Sequence, residues 1–392
     1  MDIYDSIKFH RMLVNDRVRT DTYRKAINQT VQDGDLVLDI GTGSGILAFL
    51  ACQAGAERVY AVDNSDIINV ARQLASENGF AERITFINDD IRNVKLSEKV
   101  DVIISELLSK TLIGQQMEEL VAFSRKKFLK ANGKIIPEKV EYFIAPVEAD
   151  SEYRKLEFPK IGDYGIDFTF IRTLGLNQTT STRLNKPEKL SDVQVAYLID
   201  SYNTSPSQHP DANLGFTINK AGTLHGFLTW FSAVLADGIT LSNLPPGTPS
   251  WDNLLFPLIE PLEVSPGMEV IFHLRGDHPK SSKPIWRWKT TLTLEQQTGA
   301  RRVIADYNQS SFKGSILSKR SLYRQSSNYV PELSESGEVL KALIDLCNTE
   351  KKVAEISATL FSEFPDRWNC EEEVRDYVFS SLDGLQYSGS FK

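Results

Sequence analysis

The sequence predicts three parts: a doubly wound α/β domain on a parallel sheet, an antiparallel β-barrel-like domain with an inserted arm, and a small helical or winged-helix domain at the C-terminus. Three observations predict it. Short, almost purely apolar strands alternate with helix-length segments from Leu36 to about Pro137, the signature of a parallel sheet covered on both faces. After Lys139 the strands alternate instead, as in Ile285-Trp286-Arg287-Trp288-Lys289, which reads as antiparallel β. From Gly337 onward apolar residues recur at three- and four-residue intervals, the period of helices.

Residues 1–30 are polar, with apolar positions at Met12, Leu13, Val18, Tyr23 and Ile27 that fit one or two helices, an arm or lid before the core. The core strands are Leu36 to Ile40, Val59 to Val62, Ile84 to Ile87 and Val100 to Ile104, with helices over Ile46 to Ala54 and Ile67 to Asn78. The first domain therefore spans 1–137. The second, 138–330, contains strands at Gly226 to Val234, Glu269 to Leu274 and Ile285 to Leu294. Its stretch from about 153 to 210, rich in Asn, Ser and Thr, is too long for an ordinary connection and reads as an arm. The third, 331–392, carries helices at Val339 to Cys347, Val353 to Phe364 and Glu372 to Leu382, the last opened by Glu371-Glu372-Glu373 at the positive end of its dipole.

The 392 residues are ample for more than one core. Cys52, Cys347 and Cys370 stand far apart, so neither a disulfide framework nor a cysteine-based zinc site is expected, and the five histidines show no metal-ligand spacing. With 44 Lys+Arg against 52 Asp+Glu the net charge is −8, which disfavours nucleic acid. No apolar run approaches the length that crosses a bilayer, and the first residues lack the features of a signal peptide. A cytoplasmic protein without membrane or metal is the expectation.

The chemistry begins at Val37-Leu38-Asp39-Ile40-Gly41-Thr42-Gly43-Ser44-Gly45, a strand-to-helix junction whose glycines let a ligand approach the backbone. Nicotinamide and flavin folds also use Gly-x-Gly, but here the spacing is Gly-x-Gly-x-Gly and further acceptors follow. Asp39 precedes the loop, placed to pair with a ligand ammonium. Asp63 closes the second strand, placed for two ribose hydroxyls, and Asp89-Asp90 at the third is placed for an adenine amino group. Together they describe S-adenosylmethionine (SAM), with NAD as the competing reading. Glu106, in Ser105-Glu106-Leu107-Leu108 at the end of the fourth strand, is the candidate that orients a methyl acceptor.

His10 to Tyr23, Val37 to Ile46 and Asp101 to Glu106 resemble successive motifs of the protein arginine methyltransferases, and Tyr164-Gly165-Ile166-Asp167-Phe168 resembles the start of that family's dimerisation arm. The resemblance implies that His10 and Arg19 belong to an N-terminal lid, with Arg19 meeting the SAM carboxylate. It implies that Asp39, Gly41, Gly43 and Gly45 line the methionine, and that Asp63 takes the ribose position usually held by Glu. Glu106 falls on the first glutamate of a paired-glutamate loop that grips the substrate guanidinium, Tyr4 lies near the acceptor, and a homodimer follows from the arm.

Three positions depart from the pattern. The second glutamate falls on Gln115, the histidine of a Thr-His-Trp loop on Ser250 beside Trp251, and the acidic adenine partner on Arg92, leaving Asp90 for that contact. Gln115 accepts a hydrogen bond but cannot neutralise a guanidinium, a difference of about 1.5–3 kcal/mol in a desolvated site. Three outcomes stay open: a weaker or differently oriented arginine site, another nitrogen or oxygen acceptor on a peptide or protein, or a site without catalysis, such as a peptide-binding scaffold. A small guanidino compound as acceptor is a further alternative.

The segment from Leu343 to Ile356, followed by Val374-Arg375-Asp376-Tyr377-Val378, resembles PqqD-like domains that recognise leader peptides of ribosomally made, modified peptides. Between 341 and 392, six basic residues face ten acidic ones, a balance of −4 that disfavours DNA and suits a peptide held on a strand edge. The resemblance implies a precursor-peptide substrate; a helical cap on the β domain is the alternative.

Overall fold

A computed structural model describes residues 6–382 except 113–116, 158–164, 185–186, 204–208, 245–249, 278–283, 296–299 and 325, together with the side chain of residue 321. The chain divides into two compact units, Met1–Ser315 and Ile316–Lys392. The parallel and antiparallel sheets share the first unit. The second begins earlier than 331, because it includes the helix Lys319–Arg324.

The first unit opens with helices α1 (Ile7–Asn15) and α2 (Arg17–Thr30), broken at Asp16. Asp16 is extended (φ −73°, ψ 91°), and its carboxylate accepts the Arg19 N–H at 3.1 Å, a cap for one of the orphan donors of α2. Then come β1 (Leu36–Ile40), α3 (Ile46–Gln53), β2 (Arg58–Asp63), α4 (Ile67–Glu77), β3 (Ile84–Asn88), β4 (Val100–Ser105), α5 (Met117–Phe128) and β5 (Leu129–Ile136). The strands form a parallel sheet in the order β3-β2-β1-β4-β5. Val37, Leu38, Ile103 and Ile104 are fully buried, as strands covered on both faces require.

This order fixes the place of a ligand. The chain winds outward from β1 through β2 and β3, then returns to β4 on the other side of β1, so the crevice at a switch point opens beyond the C-terminal ends of β1 and β4. The glycine loop leaves the first of these strands and Glu106 the second.

A cis bond joins Ile136 to Pro137, and β6 (Lys139–Glu148) starts the antiparallel part. β6 pairs with Gly222–Ala236 on one side and Gln194–Asp200 on the other, within a seven-stranded sheet. Asp211–Thr217, Glu269–Asp277, Ile285–Glu295 and Arg301–Ser310 form a four-stranded sheet. The expected barrel-like domain is thus two antiparallel sheets among the described residues. Phe256 packs edge-on against Trp286 and Trp288, with ring centroids 5.4 and 5.6 Å away, so the tryptophan pair is core.

The expected arm shrinks. Within 153–210, Thr180–Thr182 pairs with residues 253–255, while Glu188–Lys189 and Gln194–Asp200 pair with β6. These segments read as polar because they lie at sheet margins, where one face meets water. What remains arm-like includes the helix Thr169–Leu176, on which Phe170 is 74 % exposed.

In the second unit, Glu335–Cys347, Val353–Glu363 and Glu371–Leu382 close a small core of Leu343, Ile356, Leu360, Val374, Val378 and Leu382. Ser334 caps the first of them by accepting the Gly337 N–H. The described residues of this unit hold helices and no strand, so neither the wing of a winged helix nor an edge for strand addition is among them. No helix among the described residues is long and apolar enough to cross a membrane.

Candidate active site

The loop after β1 is built from three left-handed glycines, Gly41 (φ 71°), Gly43 (54°) and Gly45 (86°). A Cβ on Gly43 would stand 2.8 Å from His10 Cε1, so the lid helix α1 lies directly over the bare backbone. Asp63, at the end of β2, ties the loop down by accepting the Gly43 N–H at 2.7 Å, and also takes the Ser65 N–H at 2.9 Å and its hydroxyl at 2.6 Å.

Asp39 is fully buried and does not reach the wall of the crevice. Its Oδ2 accepts the Thr42 hydroxyl at 2.6 Å, while Oδ1 makes no hydrogen bond among the described residues. Burial pushes its carboxyl up to about 7, opposed by the Thr42 bond. The carboxylate lies behind the glycine loop with one oxygen bonded to Thr42 and the other unpartnered among the described residues. A residue on the central strand faces packed helices, and Asp39 acts from behind, anchoring the loop through Thr42.

Glu106 follows Ser105 out of β4. Its Oε2 accepts from Arg19 Nε at 2.7 Å and from Arg19 Nη2, the two side chains being 8 % and 5 % exposed. Burial pushes the Glu106 carboxyl up and Arg19 pulls it back. Burial also disfavours the Arg19 charge, but Glu106 outweighs it and holds the guanidinium above its ordinary value. Beneath the pair, the Tyr23 hydroxyl donates to the Ser105 carbonyl at 3.1 Å and fixes α2 to the strand end.

The β domain closes the other side. The Ser250 N–H donates to Asp16 Oδ2 at 3.1 Å, and the Ser250 hydroxyl donates to the same oxygen. Trp251 Nε1 donates to the Leu108 carbonyl at 3.1 Å, with its ring edge-on to Phe231. These contacts enclose a cavity of about 1020 Å³ whose wall includes His10, Arg19, Gly43, Asp63, Glu106 and Trp251. At its far end Asp90 is engaged by Arg92 Nε at 2.8 Å, and Arg92 holds its carboxyl below the usual range. Arg92 also meets Glu119 at 3.2 Å.

Of the residues singled out from sequence, His10, Arg19, Gly41, Gly43, Asp63, Asp90, Glu106, Ser250 and Trp251 share this one cavity. Gly45 shapes the turn beneath it. Tyr4 and Gln115 lie outside the described residues. Sequence reasoning missed Asp16, Ser65 and the group Lys110, Arg183 and Asp252. The only signal for Asp16 was an N-cap type between two apolar-periodic stretches. Among the described residues no group of His, Cys, Asp and Glu is arranged to hold a metal ion.

Two family models match: "Ribosomal protein L11 methyltransferase (PrmA)" over residues 20–145 and "PRMT5 oligomerisation domain" over 141–317. "Protein arginine N-methyltransferase 6" of Xenopus tropicalis is 30% identical over 281 residues, covering 68% of this chain and 83% of the relative. The chain belongs to the protein arginine N-methyltransferase family. Another member, "Protein arginine N-methyltransferase 2" of Homo sapiens, is 30% identical over 316 residues, or 76% of this chain and 72% of that protein. In fold, the chain resembles the PRMT1 enzyme-prozyme complex of Trypanosoma brucei solved with AdoHcy, with a TM-score of 0.70 and 23% identity over 79% of this chain and 99% of that one. It is a SAM-dependent methyltransferase.

Proposed function

We propose that this methyltransferase transfers a methyl group from SAM to a guanidino nitrogen of an arginine in a protein or peptide. The observation that carries the reading is that Glu106 and the glycine loop open into one cavity at the switch point of the sheet. The residues present suit SAM: left-handed glycines that bare the backbone, Asp63 for the ribose hydroxyls, the Asp90 end for adenine, and Arg19 within the cavity for a carboxylate. SAM supplies a methyl group already activated on a sulfonium.

The remaining work falls to the chain. Glu106 has about four lone-pair sites. Both Arg19 donors fall on Oε2, so acceptor capacity remains for a substrate guanidinium. Its negative charge counters the charge on the acceptor, and a carboxyl raised by burial is a better acceptor for the proton released from the nitrogen. Trp251 and the Asp16–Ser250 contact hold the β domain against the lid and narrow the approach to an extended side chain.

Gln115 is the substitution that weakens the grip on a guanidinium. Gln115→Glu restores a second negative charge and is expected to raise kcat/KM on an arginine peptide about tenfold, the equivalent of one charge-assisted hydrogen bond. Initial rates of S-adenosylhomocysteine formation check it; no gain on any arginine peptide would count against a grip weakened at Gln115.

Two finer assignments belong to the same proposal. Exposed Ile166, Phe170 and Ile171 on and before the arm helix support pairing with a second copy of the chain. The Ile316–Lys392 unit is assigned to peptide recognition, now by a helix face: Leu340 and Ile344, one turn apart on Glu335–Cys347, are both exposed. A precursor peptide carrying its leader is the corresponding substrate.

A further inference from the structure

The cofactor end of the cavity carries a reversal of charge. The sequence resemblance puts an acidic adenine partner at position 92, yet Arg92 stands there and lines the cavity together with Asp90. The two side chains meet as a fork on a carboxylate. Arg92 Nε donates to Asp90 Oδ1 at 2.8 Å and Nη2 to Oδ2 at 2.5 Å, and the Arg92 backbone N–H adds a second bond to Oδ1 at 2.9 Å. On its other side Arg92 Nη1 donates to Glu119 Oε1, in the first turn of α5, at 3.2 Å.

Other bonds already hold the backbone of this turn. The Asn93 N–H donates to the Asp90 carbonyl at 2.9 Å, Asn93 Nδ2 to Asp89 Oδ1 at 2.9 Å, and Lys127 Nζ of α5 to the Val94 carbonyl at 2.7 Å. Asp89 Oδ1 also takes the Asp90 N–H at 2.7 Å, so that oxygen serves the turn. The Arg92 and Asp90 side chains are 42 and 27 % exposed, and an ion pair so open to water adds little to stability. What the fork does is fix the orientation of one carboxylate. An ionised carboxylate has about four acceptor sites and no donor. Arg92 fills two of them on Oδ1 and one on Oδ2, so one site is left, on Oδ2. The exocyclic amino group of adenine is a donor that suits it. Ile91, next to Arg92, and Leu120, next to Glu119, also line the cavity and offer apolar wall to a base.

We propose that Arg92 is a positioning residue for the cofactor, holding Asp90 so that its remaining Oδ2 site receives the adenine amino group. The inference rests on the placement of adenine at Asp90 and names the residue that sets it. It also accounts for the reversal: the acidic partner moves from position 92 to position 90, and the arginine aims it.

The test measures Kd by calorimetry on the full chain with two ligands, S-adenosylhomocysteine and its analogue with hydrogen in place of the adenine amino group. The unaltered chain is expected to prefer the adenosyl compound about tenfold, the scale of one hydrogen bond to a charged group. Arg92→Ala, at a site exposed enough to leave the fold intact, should cut that preference to about twofold by weakening the adenosyl compound alone. Arg92→Glu should raise the Kd of the adenosyl compound about tenfold, because a third carboxylate joins Asp90 and Glu119. No preference in the unaltered chain, or one unchanged in Arg92→Ala with both ligands weakened alike, would overturn the proposal. Unchanged or tighter binding by Arg92→Glu would overturn it too, since adenine would then accept an acid at position 92. Asp90→Ala separates the levels. It should abolish the preference; a preference that survives would move adenine away from Asp90 and bring down that placement and this proposal together, leaving arginine methylation standing.

Discussion

Glu106→Gln is expected to slow methyl transfer by about 10²–10³-fold, the scale on which removal of one preorganised electrostatic contact acts. The amide keeps the shape of the side chain and still accepts a hydrogen bond from Arg19 but loses the charge that faces the acceptor. It also leaves the Arg19 guanidinium without a counter-ion in a site where the two side chains are 5 % and 8 % exposed. Breaking such a pair on one side costs about 3–5 kcal/mol of stability, and the retained amide acceptor puts this variant at the lower end. Turnover with saturating peptide, SAM binding by calorimetry and the thermal midpoint separate the effects. The expected result is lost kcat with SAM binding retained by folded protein; normal turnover would remove Glu106 from catalysis.

Asp63→Ala is expected to act on the cofactor instead, raising the Kd for SAM about 10²-fold through the loss of charge-assisted hydrogen bonds worth about 1.5–3 kcal/mol each. Asp63 has two tasks, and alanine removes both. It accepts the Gly43 N–H and both Ser65 donors, which hold the loop in shape, and its carboxylate borders the cavity where the ribose is assigned. At saturating SAM most of the rate should return, because the residue touches neither the acceptor nor Glu106. Calorimetric titration checks the affinity, and an unchanged Kd would displace the ribose from this strand end.

The parts legible in the sequence are those whose local pattern is set by burial. β1 and β4 are apolar because both faces of the sheet are covered, and their ends carry the glycines and the glutamate that mark the crevice. Asp39 shows what local reading leaves out: a carboxylate before a ligand loop suggests a contact, and only the fold shows that it is buried and anchors the loop through Thr42. Asp16 shows the complementary failure. An aspartate among polar residues is ordinary until the fold returns Ser250 to it from 234 positions along the chain. The same holds for Lys110, Ser181, Arg183 and Asp252, which come from three separate segments and have no common pattern in the sequence. Sheet-edge strands such as Gln194–Asp200 were absorbed into the arm because their half-solvated faces carry polar residues. In the C-terminal unit the helical rhythm was legible, while the strands a winged helix would add are not among the described residues.

The position of the transferred methyl group identifies the acceptor directly. The full chain is incubated with SAM and an arginine-containing peptide, and the product is sequenced by fragmentation mass spectrometry. One or more methyl groups are expected on guanidino nitrogens of arginine, formed together with S-adenosylhomocysteine. Methyl groups on lysine, histidine, carboxylate or hydroxyl side chains with arginine untouched would contradict it.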